Sequence, residues 1–416
     1  MEYKINDIIT EIAMGPFGSN IKKECFIDTG FPVLNGSNLS GIKLNENSFN
    51  YVSNEKAFEL RKAIAKRGDI VITHRGTLGQ IVYIQNNSKY DEYLISQSQF
   101  RIRCNKQIVL PEYLVYFFHT RLGQYKLTAN KSQVGVPSLA QPTTYFRKVK
   151  INLPSLKVQE NICNILGSID SKIELNNKIN NNLQSISQLL FKQWFVDFDF
   201  LNEEGLPYKS SGGEMVDSEL GMIPKGWEVS ALCTIADIVM GQSPSGTSYN
   251  EDSNGAVFYQ GRTDFGERFP IQRLYTTEPK RMAKLGETLM SVRAPVGDIN
   301  IAYEDCCIGR GLCSIKSKNN YNSYIYYVML NLKDKLNVYN GEGTVFGSIN
   351  KDTLANLNIV KPMDSIIEMF NKIACNLDQQ YLCLVKENRE LLQTRNILLP
   401  KLMNGEIDLS NLEINL

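Results

Sequence analysis

The chain repeats itself, and no other feature narrows its fold so far. The stretch GDIVITHRGTLGQI, from Gly68 to Ile81, returns as GETLMSVRAPVGDI from Gly286 to Ile299. A constant shift of 218 residues pairs Gly68 with Gly286, Arg75 with Arg293 and Gly79 with Gly297. If this is a true duplication, other landmarks must recur in the same order. They do: IAMGPFGSN from Ile12 answers IVMGQSPSG from Ile238, VLNGSNLS answers FYQGRTDF, and VPSLAQPTTYFRKVKINLP ending at Pro154 answers VFGSINKDTLANLNIVKP ending at Pro362.

A long helical pattern without a proline follows in each copy, now at a shift of 208. Reading sevens gives Ile162, Ile169, Asn176, Leu183 and Leu190, and in the second copy Phe370, Leu377, Leu384, Leu391 and Leu398. Ile165, Ile179 and Ile186, with Ile373 in the second copy, supply a second apolar position. Heptads sustained over such a length predict a coiled coil rather than an ordinary surface helix. Asn176 interrupts the seam; it either fixes register from a buried position or sits where the helices diverge.

The expected order is a domain over 1–153, a long helix over 154–199, a linker over 200–225 rich in Gly, Ser and acid, a second domain over 226–361, a second long helix over 362–400 and a tail over 401–416. The class is α+β: two tandem mixed α/β domains, separated by two long helices that form an antiparallel coiled coil, with a pseudo-twofold internal repeat. Antiparallel pairing is the economical choice, because the first helix then ends where the second domain begins. It places the two domains at opposite ends of a rod and makes two similar contacts at a fixed distance.

Charge is segregated along this division. Residues 1–150 carry 20 basic and 12 acidic side chains, a net +8, whereas 226–361 carry 14 of each. The stretches 151–225 and 362–416 sum to −4 and −3. A basic globular segment beside acidic helices points to a polyanion as the partner of the former. No apolar run reaches a membrane span and no secretory leader opens the sequence, so a cytoplasmic protein is expected. The nine cysteines include no C-x-x-C spacing and read as reduced thiols. Two histidines leave little for a metal site, and none is expected.

Strand-like runs dominate both domains, with short helices at PEYLVYFFHT and NSYIYYVMLNLKD whose aromatic residues read as core. Arg75 and Arg293 each follow a strand and precede a glycine-containing turn, so they project from an edge. There an arginine can offer a fork to guanine or one contact to phosphate; the alternative is a turn arginine bonded to a backbone carbonyl. Polar neighbours suit a base-reading surface: Thr73, His74 and Thr77 in one copy, Ser291 in the other. LISQSQF and CIGRGLC align Gln97 with Arg310, and glutamine can read adenine as arginine reads guanine. Gln99 and Arg262 complete the candidate DNA contacts.

Several chemistries are missing. No Gly-Lys dipeptide occurs, so a Walker-type ATP site is absent, and there is no G-x-G-x-x-G after a strand and no Asn-Pro-Pro-aromatic motif of an amino-methyltransferase. GQSPSG is not a G-x-S-x-G elbow. An enzyme with an unrecognised site and a stand-alone adaptor binding DNA or RNA remain the competing readings; catalytic sites seldom need two spaced copies.

Three segments carry a family resemblance: INLPSLKVQENICNILGSIDSKIELNNKINNNLQSISQLLFKQWFVDFDF, LGMIPKGWEV and LLQTRNILLPKLMNGEIDL. With them the chain resembles, over nearly its whole length, the specificity subunit of type I restriction-modification enzymes. The resemblance implies a non-catalytic subunit with two target recognition domains, each reading half of a gapped double-stranded DNA target, while the paired helices set the gap. It also implies docking of two methyltransferase subunits that carry S-adenosylmethionine. ATP-driven, magnesium-dependent restriction subunits would join to cleave unmodified DNA in phage defence, so this chain itself holds no cofactor. One departure stands out: Ile367 occupies the place of Gln159, which puts in question a contact at the head of the second helix.

Overall fold

The repeat is a repeat of structure. In the computed structural model, which describes residues 1–132, 135–340, 347–410 and 412, contacts divide the chain into one unit of 1–175 with 387–416 and another of 176–386. Residue 411 and residues 413–416 of the expected tail lie outside the described residues.

In the first unit a four-stranded antiparallel sheet runs in the order Ile9–Met14, Gln99–Cys104, Ile70–Thr73 and Ile81–Tyr83. A second sheet orders Asn50–Val52, Phe31–Leu34, Glu92–Ile95 and Ile64–Lys66, with the middle pair parallel. The apolar run Ile70–Thr73 is buried on both faces because each face meets a different layer. Ile70 and Ile72 pack with Phe100, Ile102 and the helical residues Leu114 and Phe118, whereas Val71 packs with Val82, Leu34 and Leu94 towards the second sheet. Each such aliphatic side chain contributes about 1.5–3 kcal/mol by leaving water.

The second unit has the same order: Ala236–Met240, Leu312–Ser317, Thr288–Ser291 and Ile299–Ile301 in one sheet, and a parallel pair, Ala256–Tyr259 with Cys306–Ile308, at the centre of the other. Registers match as well, for Thr73 stands opposite Gln99 and Ser291 opposite Leu312. The recurring glycines have a backbone reason. Gly68 and Gly286 have φ of +85° and +83°, and Gly79 and Gly297 +91° and +90°, a region costly for any residue with a Cβ. Each domain also closes its first strand on its last, Glu2–Lys4 on Lys150–Asn152 and Glu228–Ala231 on Asn358–Lys361. The expected strand at RKVKINL is shorter than its sequence, because Arg147 and Lys148 belong to the helix Pro142–Lys148.

The two long helices are Leu156–Phe195 and Asp364–Met403, each of 40 residues, with both bounds related by the same shift of 208. In the first unit the start of one meets the end of the other: the Asn161 amide donates to the Leu409 carbonyl, and Arg395 pairs with Asp170 at 2.8 Å. In the second unit Phe191 packs on Phe370, at 5.7 Å between ring centres.

The structure corrects the second seam position. Ile162, Leu183 and Phe370 are buried, and Ile169, Leu190, Leu377, Leu384, Leu391 and Leu398 are half-buried. The companion position lies four residues further on rather than three, at Leu166, Ile173, Asn180, Ser187 and Trp194, and at Ala374, Tyr381, Asn388, Arg395 and Leu402 in the second copy. Ile179, Ile186 and Ile373, expected inside, are exposed. With 3.6 residues per turn, positions three and four on straddle one line, and at Asn180 and Ser187 packing takes the polar residue over the isoleucine before it. Asn176 is fully buried.

A duplicated tyrosine–aspartate bond fixes each domain to its helix. Tyr116 donates to Asp170 at 2.7 Å, and Tyr327 to Asp378 at 2.9 Å. Burial and the neighbouring carboxylate push both phenols well above their ordinary range, so they donate as neutral hydroxyls. The cation beside each aspartate differs: Arg395 from the second long helix in one copy, Arg268 from the domain in the other. Gln159 is buried and holds the Leu110 N–H and the Ile108 carbonyl, both at 3.0 Å. At the matching place Ile367 is buried among apolar side chains, so packing replaces that contact.

The expected linker carries structure of its own. Phe200 is buried and stacked on Trp227 at 5.0 Å, and Met215–Val216 pairs with Ile223–Pro224.

Candidate nucleic-acid interface

At one end of the first sheet, the turns after Ile70–Thr73 and before Gln99–Cys104 enclose a polar hollow of about 280 Å³. Thr73, Arg75, Thr77, Gln97 and Gln99 line it, together with Asn35, Gly36, Gln80, Ser96 and Ser98. Five of the expected contact residues are thus brought together. Gly76 donates its N–H to the Pro137 carbonyl at 2.8 Å, which clamps the backbone beside Arg75. The Arg75 guanidinium is exposed and makes no hydrogen bond or ion pair among the described residues, so it is not spent on a backbone carbonyl.

The other members divide by what they have left to give. Thr73 is buried and donates to Gln80 Oε1 at 3.0 Å, while Gln80 Nε2 donates to the Gly36 carbonyl at 3.0 Å. Gln99 is fully buried; its Oε1 accepts the Ser96 N–H at 2.9 Å, and its Nε2 has no partner among the described residues. His74 turns away, its Nε2 donating to the Gln97 carbonyl at 3.1 Å. Burial lowers the His74 pKa below the ordinary histidine value, so the ring is neutral at pH 7 and adds no charge here. Thr77 and Gln97 are exposed, and Gln97 lies over Gly18, where any Cβ would come within 2.0 Å of its Oε1.

The corresponding end of the second unit has the same frame and different groups. The N–H of Ala294 donates to the Gly347 carbonyl at 3.1 Å, as that of Gly76 does to Pro137. Arg293 and Arg310 are exposed, and neither guanidinium is paired among the described residues. Ser291 is not brought to the surface. It is buried, its hydroxyl donating to the Pro295 carbonyl at 2.6 Å and accepting the Asp298 N–H at 3.0 Å, so the turn consumes both roles. Arg262 is tied to Asp298 at 2.7 Å, and Lys333 reaches the same carboxylate at 3.2 Å. Burial works to raise the Asp298 pKa, but the bonds from Arg262 and Lys333 outweigh it and hold the carboxyl below the usual range.

Gln80, Asn35, Ser96 and Ser98 escaped the sequence reading. Gln80 could have been found, since it lies inside the first repeated window and aligns with Asp298, and so could Ser96 and Ser98, which flank Gln97 in LISQSQF; Asn35 becomes their neighbour only when the parallel pair of the second sheet forms. Among the described residues, no three histidine, cysteine or acidic side chains converge as a metal ion would require, and no helix is long and apolar enough to cross a membrane.

Comparison with known proteins adds a lineage to this geometry. Residues 1–185 and 224–384 match the family described as the type I restriction modification DNA specificity domain. A protein of Methanocaldococcus jannaschii, provisionally named the type I restriction enzyme MjaX specificity subunit, is 31% identical over 91% of this chain and 87% of its own length. The type I restriction enzyme HindI specificity subunit of Haemophilus influenzae is 25% identical, over 95% of this chain and 99% of its own. The crystal structure of a type I restriction-modification system S subunit from M. genitalium shares the fold, with a TM-score of 0.62 at 15% identity over 97% of this chain and 95% of that one.

Proposed function

Because this chain belongs to the type I restriction-modification DNA specificity family, we propose that it is the DNA-reading subunit of such a complex, each domain contacting one half of a gapped double-stranded target. The observation that carries the reading is the duplicated turn arginine. Arg75 and Arg293 hold the same position in two copies of one frame, exposed and unpaired among the described residues. In the first domain Thr77 and Gln97 extend the surface beside Arg75 and Thr73 and Gln99 brace it; in the second Arg310 extends the surface beside Arg293 and Arg262 braces it. The +8 charge of the first 150 residues suits a phosphate backbone. In this proposal the long helices set the gap and dock two methyltransferase subunits that supply S-adenosylmethionine. Restriction subunits would supply ATP-driven, magnesium-dependent cleavage, so the present chain performs no chemistry itself. No observation favours the stand-alone adaptor.

Selection of bound duplexes from a random library, using this chain in complex with its methyltransferase partner, tests the two-reader arrangement. Arg293→Ala should relax base preference in one half-site by about 1–3 kcal/mol, the worth of one bidentate base contact, and leave the other half intact. Arg75→Ala should do the same in the opposite half. Simultaneous loss in both halves from either variant would contradict it.

The first long helix offers a docking face. Ile179, Ile186 and Leu189 are exposed on one side of it, outside the seam. Ile186→Asp with Leu189→Asp should weaken association with the methyltransferase subunit at least tenfold by analytical ultracentrifugation while leaving thermal stability nearly unchanged, since neither side chain is buried. Undiminished assembly would place the docking face elsewhere.

A further inference from the structure

We infer that Gln97 and Arg310 each specify one base pair, adenine in the half-site of the first domain and guanine in that of the second; this rests on the DNA-reading role proposed above. The two residues are equivalent by hydrogen-bond register, not by alignment alone. Gln99 stands opposite Thr73 and Leu312 opposite Ser291, and two residues earlier in each strand's approach come Gln97 and Arg310. Both are exposed and neither side chain is paired among the described residues.

Their chemistry is complementary to different base edges. The Gln97 amide presents one acceptor and one donor side by side, which matches the N6 donor and N7 acceptor of adenine. Arginine presents donors only, which matches O6 and N7 of guanine and leaves the adenine N6–H₂ without an acceptor.

The flanks strengthen the contrast. In the first domain Ser96 and Ser98 bracket Gln97 and, with Gln80 and Gln99, surround it with hydroxyls and amides, Arg75 being the one cation in the lining. In the second the brackets are Gly309 and Gly311. A Cβ at either would lie 2.8 or 3.0 Å from the Gln260 carbonyl oxygen, so the turn presents Arg310 and no other side chain. Arg262, the nearby competitor, is spent on Asp298.

The test maps methylated bases at single-base resolution on a random-sequence library, using the complete complex with wild-type chain, Gln97→Arg, Arg310→Gln and Arg310→Ala. Gln97→Arg should convert one position of the first half-site from A·T to G·C, roughly a tenfold or greater change in preference. Arg310→Gln should move one position of the half-site relaxed by Arg293→Ala from G·C towards A·T, and Arg310→Ala should leave that same position unspecified. The untouched half-site and gap must persist in each variant, which also reports that it folds and assembles. Methylation that falls evenly over an unchanged motif would mean phosphate contacts and overturn the inference alone, as would a change in the wrong half. A wild-type complex that marks no gapped motif at all would overturn the DNA-reading role, and the inference with it.

Discussion

Asp378→Ala is expected to lower stability by about 3–5 kcal/mol, the cost of removing one partner from a buried ion pair. Its partner Arg268 is only 1% exposed, bonds Asp378 and Tyr327, and lies 4.6 Å over the ring of Tyr381 and 4.8 Å over that of Tyr326. Burial opposes the Arg268 charge, yet Asp378 and the tyrosines more than offset it and hold the guanidinium protonated. Without the carboxylate, the charge would remain in the core facing only aromatic rings and the Tyr327 hydroxyl. The duplicated position supplies an internal control. Arg395, which faces Asp170, is 26% exposed and can be rehydrated, so Asp170→Ala should cost only about 1–3 kcal/mol, chiefly from the orphaned Tyr116 hydroxyl. Replacing the pair together, Arg268→Met with Asp378→Leu, should recover most of the loss. Urea titration of the full chain decides the matter; a loss at Asp378 no larger than that at Asp170 would contradict the account.

Lengthening both helices by one heptad, after Asn180 and after Asn388, should widen the recognised gap without altering either half-site. Seven residues add about 10.5 Å to a helix, or roughly three base pairs at 3.4 Å each. A whole heptad keeps every seam residue on its side, and the two insertion points are equivalent in the repeat, both at buried seam positions. Selection from libraries with variable spacers reads the result. An unchanged gap would show that something other than the helices sets the spacing.

The sequence was most legible where backbone rules act locally. Strand, glycine turn and arginine recurred at a fixed shift because Gly68, Gly79 and their counterparts sit at positive φ, where the residue type is nearly dictated. Both long helices were visible because heptads extend over many turns. Which apolar positions face inward was misread, since Ile179 and Ile186 look like seam residues, and only packing shows that Asn180 and Ser187 take that place. The Tyr116–Asp170 and Tyr327–Asp378 bonds were invisible for a different reason, their members being more than fifty residues apart. Among the candidate contacts, the sequence placed Arg75, Arg293, Gln97 and Arg310 in or beside turns, and each is exposed there. It also enlisted Ser291, because a short polar side chain next to a turn does not announce whether the turn itself will use it.

This one chain is proposed to give its complex a bipartite DNA specificity. The test is to co-express the chain with the proposed methyltransferase partner and map methylated bases over a random-sequence library. The account predicts methylated adenines within a gapped, asymmetric motif. A stable complex that leaves the library unmarked, or marks a continuous motif without a gap, would contradict it.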